Sequence, residues 1–469
     1  MALSSSLSPK LREEARRIED VARSFGLDFF PVVFEMLDAK DVNAIAAYGG
    51  FPVRYPSWRF GMDFERLEKG RTFGLSKIYE LVINNDPTYA YLVRTNSDME
   101  QKLVMAHVFG HADFFKHNQW FVPTDRNMLD RMATHGTRIA RLVDERGADA
   151  IDEFLDRALS LDNLVDPYLP LAQHLQRKKR EAQPGTSHAE RARKNLEALI
   201  DPRAPRSVEA EAPLPSGTSL PTFDVLGFLV EKAPLAAWER DVLRMVRAEA
   251  YYFMPQRMTK IMNEGWASFW HSRILTSGVL AESEIVDFAD CHSGATASAS
   301  GQLNPYKLGI DLYRHAEEKG LDLFRLRRAH NDTSFLDELV DEEFARTSQL
   351  FLYGKNARTG RTEVLDRDWR EIKEKLLQDL AWGGLPRIEL VDADHEGRGE
   401  LVLLHHHDGR DLQLLHAGET LKHVARLWKK PVHLLTLEEG QGKRLTCDGE
   451  TIKASDAVVP GAKPTSEAG

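Results

Sequence analysis

The sequence predicts an α+β protein, mainly helical, in which a helical core with one short β-hairpin precedes a small C-terminal α+β module. Three observations predict it. Charged, amphipathic helical patterning starts at residues 8 to 25 and recurs to about residue 380, with the second half of the core resuming near residue 235. From Pro386 the apolar period changes to two, as in Arg387-Ile-Glu-Leu-Val and Glu400-Leu-Val-Leu-Leu. At 469 residues, 42% hydrophobic and 29% charged, the chain has room for two or three domains with an ample core.

The elements follow in order. After the first helix comes an aromatic-rich stretch from Gly26 to Leu37, then a turn marked by Gly49, Gly50 and Pro52. Residues 77 to 83 and 88 to 93 are rich in β-branched and aromatic side chains, and Asn84-Asn-Asp-Pro87 between them is turn chemistry, so a hairpin is expected. Ser97 and Glu100 form a capping box, Leu103, Val104, Ala106 and Val108 follow, and no Gly or Pro intervenes before Gly110. A helix therefore carries His107 and His111. Residues 181 to 220, rich in Pro, Gly and Ser, are expected to be a flexible insertion. Helices are expected at about 235 to 253 and 255 to 277, broken at Met254-Pro255. A small-residue loop, Gly294 to Gly301, lies between Asp290-Cys-His-Ser293 and Asn304-Pro-Tyr-Lys307 and is either a pocket border or a plain loop. In the C-terminal module, Leu412-Gln-Leu-Leu-His416 and Val432-His-Leu-Leu-Thr436 read as further strands, with a helix near 418 to 428. The expected organisation is a core in two halves, 1–180 and 221–385, around the 181–220 insertion, then the module at 386–455 and a disordered tail at 456–469.

The chemistry concentrates in two stretches, His107-Val-Phe-Gly-His111 and Asn263-Glu264-Gly-Trp-Ala267-Ser-Phe-Trp-His271. Imidazoles at i and i+4 of a helix share a face, the spacing that lets both hold one ion. The same spacing occurs in the H-E-x-x-H zinc proteases, whose glutamate acts as general base. Here Val108 occupies that position. Zinc proteases with a glutamate as third ligand carry it in a downstream N-E-x-x-A-like pattern, which Asn263 to Ala267 fits. A zincin-like helical catalytic core is thus expected, with His107, His111 and Glu264 as metal ligands. His271 lies at i+7 from Glu264 on the same face and is a further ligand, a partner that braces a ligand from behind, or a catalytic base. Glu80, set among Ile78, Leu81 and Val82, is the other catalytic candidate, because a carboxylate there is costly unless paired or functional. The plain alternative is a cluster of hydrogen-bonded core histidines, since an H-x-x-x-H pair arises readily in a chain with 17 His.

Other classes are disfavoured. No run approaches the roughly 18 to 20 apolar residues of a spanning helix, and the N-terminal residues lack the apolar core of a signal peptide, so a cytoplasmic protein is expected. Cys291 and Cys447 are the only cysteines, which leaves His and carboxylate as the metal donors. A net charge of -10 argues against general nucleic-acid binding. The basic run Gln176-Arg-Lys-Lys-Arg180 reads as a solvated helix end. His405, His406 and His407 alternate faces in a strand and are expected as exposed strand residues.

These residues carry a family resemblance. Lys77 to Asn84, Ala106 to Lys116, Phe154 to Asp166, Thr259 to His271, Asn304 to Gly309 and the C-terminal module are similar to the SpoVR family, the stage V sporulation protein R proteins and their relatives. The likeness runs nearly end to end; His117 stands where the family tends to have Asn, and residues 181 to 220 look like a variable insertion. The resemblance implies a link to sporulation and spore cortex formation and a functional link to a PrkA-type serine protein kinase, and it implies no settled reaction. Glu80, His107, His111, Glu264 and His271 fall on its motifs. Two functions are therefore expected to compete. The first is a hydrolase of a peptide or amide bond using Zn²⁺, or Fe or Mn, with an atypical general base and an unknown small or peptide-like substrate. The second is a non-enzymatic scaffold or regulator in which the His/Glu cluster is structural, favoured by the missing glutamate at position 108.

Overall fold

A computed structural model describes residues 7–72, 80–182, 219–296, 304–350, 352–355, 362–366 and 368–462. The architecture is α+β and mainly helical, with a small C-terminal sheet. Two compact units are formed, Met1–Leu159 with Tyr252–Pro386, and Ser160–Tyr251 with Arg387–Gly469.

The first unit holds a three-stranded sheet, β1 (Val32–Leu37), β2 (Glu80–Ile83) and β3 (Thr88–Val93), in the order β1-β3-β2. β2 and β3 form the expected antiparallel hairpin, with Glu80 opposite Leu92 and Ile83 opposite Tyr89; residues 77–79, assigned to its first strand, lie outside the described residues. β1 pairs in parallel with β3. It was hidden in the aromatic-rich stretch because its first three residues, Val32, Val33 and Phe34, are all buried, and a strand covered on both faces shows no alternation. A two-stranded ladder of β4 (Leu352–Lys355) and β5 (Thr362–Asp366) completes the sheets of this unit.

Two central helices run through its core. The first, Asp98–His117, starts five residues after the end of β3, and its capping box is complete: Glu100 N donates to Ser97 Oγ at 3.2 Å and Ser97 N donates to the Glu100 carboxylate at 2.7 Å. The second, Lys260–Ile274, begins at a backbone break. The preceding helix, Ala237–Met258, runs through Pro255 rather than breaking before it, so the break lies at Thr259, not at Met254-Pro255. There the Thr259 hydroxyl donates to Pro255 O at 2.7 Å, and the buried Asp332 carboxylate accepts from the N–H groups of Ile261 and Met262, both at 2.9 Å. A side chain distant in sequence thus serves the orphan donors of the new helix, which is why local capping signals misplaced its start.

Glycines set how closely these helices approach. A Cβ on Gly110 would lie 2.7 Å from Ala267 Cα, and one on Gly265 would lie 2.4 Å from the Gly309 carbonyl carbon in the Pro305–Glu318 helix. Around these crossings pack Phe34, Phe109, Phe114, Trp266, Phe269, Tyr313 and Phe335, all fully buried.

The second unit contains the C-terminal sheet, in the order β10-β9-β8-β7-β6, from β6 (Ile388–His395), β7 (Glu400–His405), β8 (Val432–Glu438), β9 (Gln441–Cys447) and β10 (Ile452–Asp456). β7 and β8 are parallel and joined through the helix Leu414–Trp428, while the other neighbours are antiparallel. Leu412 to His416 is therefore not a strand, since Leu414 already lies in that crossover helix. The three histidines are not simply exposed either. Only His405 lies in β7, buried with its Nδ1 2.9 Å from Thr436 Oγ1; beyond the strand's end His406 Nε2 meets Glu389 at 2.6 Å and His407 Nε2 meets Asp411 at 2.7 Å, so each ring has a separate partner. Thr222 and Leu390 exchange two backbone hydrogen bonds, of 3.0 and 2.8 Å, which tie the segment after residue 219 to β6. Of the insertion, residues 183–218 lie outside the described residues.

Candidate metal centre

His107 and His111, one turn apart on the Asp98–His117 helix, both point at Glu264 on the Lys260–Ile274 helix. Each Nε2 stands 3.5 Å from Glu264 Oε2, and one donor atom from each residue lies within 4.8 Å of the others. Among the described residues this is the one group of three or more His, Cys, Asp and Glu side chains with that convergence. The separation has a chemical meaning. Two ligand atoms each about 2.1 Å from a tetrahedral ion stand about 3.4 Å apart, so the observed spacing suits the edge of a zinc coordination polyhedron.

The close approach follows from the glycines. Gly110 lies between the two histidines and touches the backbone at Ala267, three residues after Glu264; a side chain there would push the carboxylate away from both rings. The motif His-x-x-Gly-His thus pairs two histidines on one face with a helix crossing built in between them.

Buried polar contacts hold each ring from behind. His111 Nδ1 donates to Asn263 Oδ1 at 2.9 Å, and His107 Nδ1 lies 2.9 Å from His271 Nδ1. His271 Nε2 in turn lies 2.9 Å from His292 Nδ1, on the helix Ile285–Thr296. The helix that supplies Glu264 therefore also supplies the partner of each histidine, Asn263 for one and His271 for the other. The His107 and His111 rings meet edge-on at 4.5 Å between centroids, with Tyr306 stacked on His107 at 6.3 Å and Phe115 on His111 at 6.0 Å.

Charge states follow from these contacts. Burial pushes the Glu264 carboxyl up, but hydrogen bonds from His107 and His111 outweigh it and hold the group well below the usual carboxylate range. Glu264 is therefore ionised. Burial pushes the His271 imidazole well below its usual range, so that ring is neutral. Of the three side chains Glu264 is the most exposed, keeping 18% of its surface while the histidines keep 5% and 7%.

The other candidates fall elsewhere. His271 sits behind His107, against its outer nitrogen, and is not in the convergent group. Glu80 heads β2, and its side chain lies outside the described residues. Val108 is fully buried in the apolar core. Sequence reasoning missed Asn263 and His292. Asn263 had a signal in its place beside Glu264; His292 had only its place in Asp290-Cys-His-Ser293, next to the possible pocket border, and tertiary packing joins it to the centre.

Residues 6–385 of the chain match the family described as SpoVR like protein, and residues 386–439 match the SpoVR-like C-terminal domain. The chain is also similar to the uncharacterized protein YcgB of Escherichia coli (strain K12), 30% identical over 456 residues that cover 88% of each chain. No solved structure matches it.

Proposed function

The chain belongs to the SpoVR family, and on that footing we propose that it is a metal-dependent hydrolase of a peptide or amide bond, with Zn²⁺ held by His107, His111 and Glu264 in a zincin-like core. The supporting observation is the pair of 3.5 Å contacts from Glu264 Oε2 to two Nε2 atoms, a donor spacing that tetrahedral zinc requires. Three protein ligands leave a coordination position free, and zinc so held supplies an activated water near neutral pH. The protein must then accept that water's proton without a glutamate at position 108. Both ring nitrogens of His271 are engaged, by His107 and His292, which makes Glu80, at the head of β2, the proton acceptor in this reading. Fe or Mn would suit the same mixed His and carboxylate set. The family name ties the protein to sporulation. An amide in a cell-wall precursor during cortex formation is the substrate class that fits, and a PrkA-type kinase is the proposed functional partner. The site of action in this reading is the cytoplasm; among the described residues no helix is long and apolar enough to cross a membrane.

A second reading, a non-enzymatic scaffold, is favoured by Val108 facing the core where a general base would stand. Metal analysis of protein purified without a His tag separates the two. The hydrolase reading expects about one zinc, iron or manganese per chain, lost in His107→Ala and in Glu264→Ala. A metal-free wild type would sink it and leave the scaffold.

A further inference from the structure

The two ligand histidines are braced by different chemistry. Behind His111 stands the Asn263 carbonyl oxygen, which only accepts, so the Nδ1 side of His111 always donates. Behind His107 stands another imidazole, which either donates or accepts according to its tautomer. Behind that stands a third, on His292, the one ring of the three with appreciable exposure.

We propose that His107, His271 and His292 form a tautomeric chain whose two internal hydrogen bonds reverse direction when a metal ion binds at His107 Nε2. The proposal rests on the metal reading given above. Without metal, the Glu264 carboxylate faces His107 Nε2 at 3.5 Å, so His107 carries its proton on Nε2. His107 Nδ1 then accepts from His271 Nδ1, and His271 Nε2 accepts from His292 Nδ1. With metal, His107 Nε2 must be bare. Its Nδ1 carries the proton and donates to His271 Nδ1, and His271 Nε2 donates to His292 Nδ1.

The protons balance. The proton on His107 Nε2 leaves to water as the ion arrives. The His271 Nδ1 proton moves to His107 Nδ1, the His292 Nδ1 proton moves to His271 Nε2, and His292 Nε2 takes one from water. Every ring holds one proton before and after, so none bears a charge in the buried interior, where a charge would be costly. A ligand only 5% exposed thereby changes its protonated nitrogen without carrying a cation through the core. His271 and His292 are positioning residues for the metal, not ligands to it.

The test uses the full chain labelled with ¹⁵N-histidine, whose ring shifts report which nitrogen holds the proton, with and without Zn²⁺. The expected result is that Zn²⁺ ligates His107 and His111 and inverts the tautomers of His271 and His292. Ligation of His107 with His271 and His292 unchanged overturns the chain. Unchanged His107 and His111 signals, with zinc left free, overturn the metal reading itself. Two variants add a second readout. His271→Gln keeps a group that can turn to donate or accept and should bind zinc within about tenfold of wild type, whereas His271→Phe should bind about 10- to 100-fold more weakly. Equal affinity in the Phe variant would also overturn the proposal. Should the Phe variant fail to fold, the Gln variant and the tautomer shifts decide alone.

Discussion

Asp113 shows at the scale of one residue what the first unit cannot lose. Its carboxylate is fully buried, accepts from Trp266 Nε1 and Asp28 N, each at 2.9 Å, and pairs with the buried guanidinium of Arg327. One side chain, two residues beyond His111, thus joins both central helices to the helix Leu323–Ala329. Replacing Asp113 with Ala strands a buried cation and should lower stability by about 3 to 5 kcal/mol. A urea titration of the two proteins measures it, and a difference under about 1 kcal/mol would contradict the bracing role.

Individual elements are controlled by close approach. Gly265→Ala places a methyl 2.4 Å from the Gly309 backbone, which cannot turn aside, so a loss of at least about 1 to 3 kcal/mol is expected. Glu264 would shift with its helix, and under the proposed metal reading zinc affinity should fall with stability. Gly294, in the helix Ile285–Thr296, has nothing within 4 Å of its would-be Cβ. Gly294→Ala should stabilise by about 0.5 to 1 kcal/mol through helix propensity. Thermal melts of the two variants should therefore move in opposite directions. If both fall, the packing account of Gly265 loses its contrast.

Across the whole molecule, one buried group in each unit is expected to link stability to pH in opposite senses. Burial pushes the His405 imidazole of the C-terminal sheet down to about 4. A folded value below the unfolded one favours the neutral ring, so His405 contributes stability above about pH 6.5 that is lost as pH falls toward about 4. The full effect is up to about 3 kcal/mol. In the first unit burial raises the Asp332 carboxyl to about 7, against the backbone N–H donors of Ile261 and Met262. That group favours folding below about pH 4 and loses its contribution as pH rises to about 7. Amide exchange followed from pH 7.5 to 4.5 should show β7 and β8 losing protection in wild type and keeping more of it in His405→Gln. For Asp332→Asn, the pH slope of the Lys260–Ile274 helix should flatten.

Much of this molecule was legible in its residues. The Ser97/Glu100 box, the i, i+4 pair of histidines, the turn between β2 and β3 and the change to period two after Pro386 are local signals, because capping, helical facing and pleating act within a few positions of the chain. What local rules could not supply was decided by the tertiary structure. β1 is covered on both sides, the Lys260–Ile274 helix is capped by an aspartate from elsewhere, and His292 reaches the centre only because its helix packs beside His271. The residue types of the site were thus written along the chain. Their meeting within 3.5 Å depended on Gly110 and Gly265 letting backbones touch, and contact between distant segments is a property of packed helices that no local pattern contains.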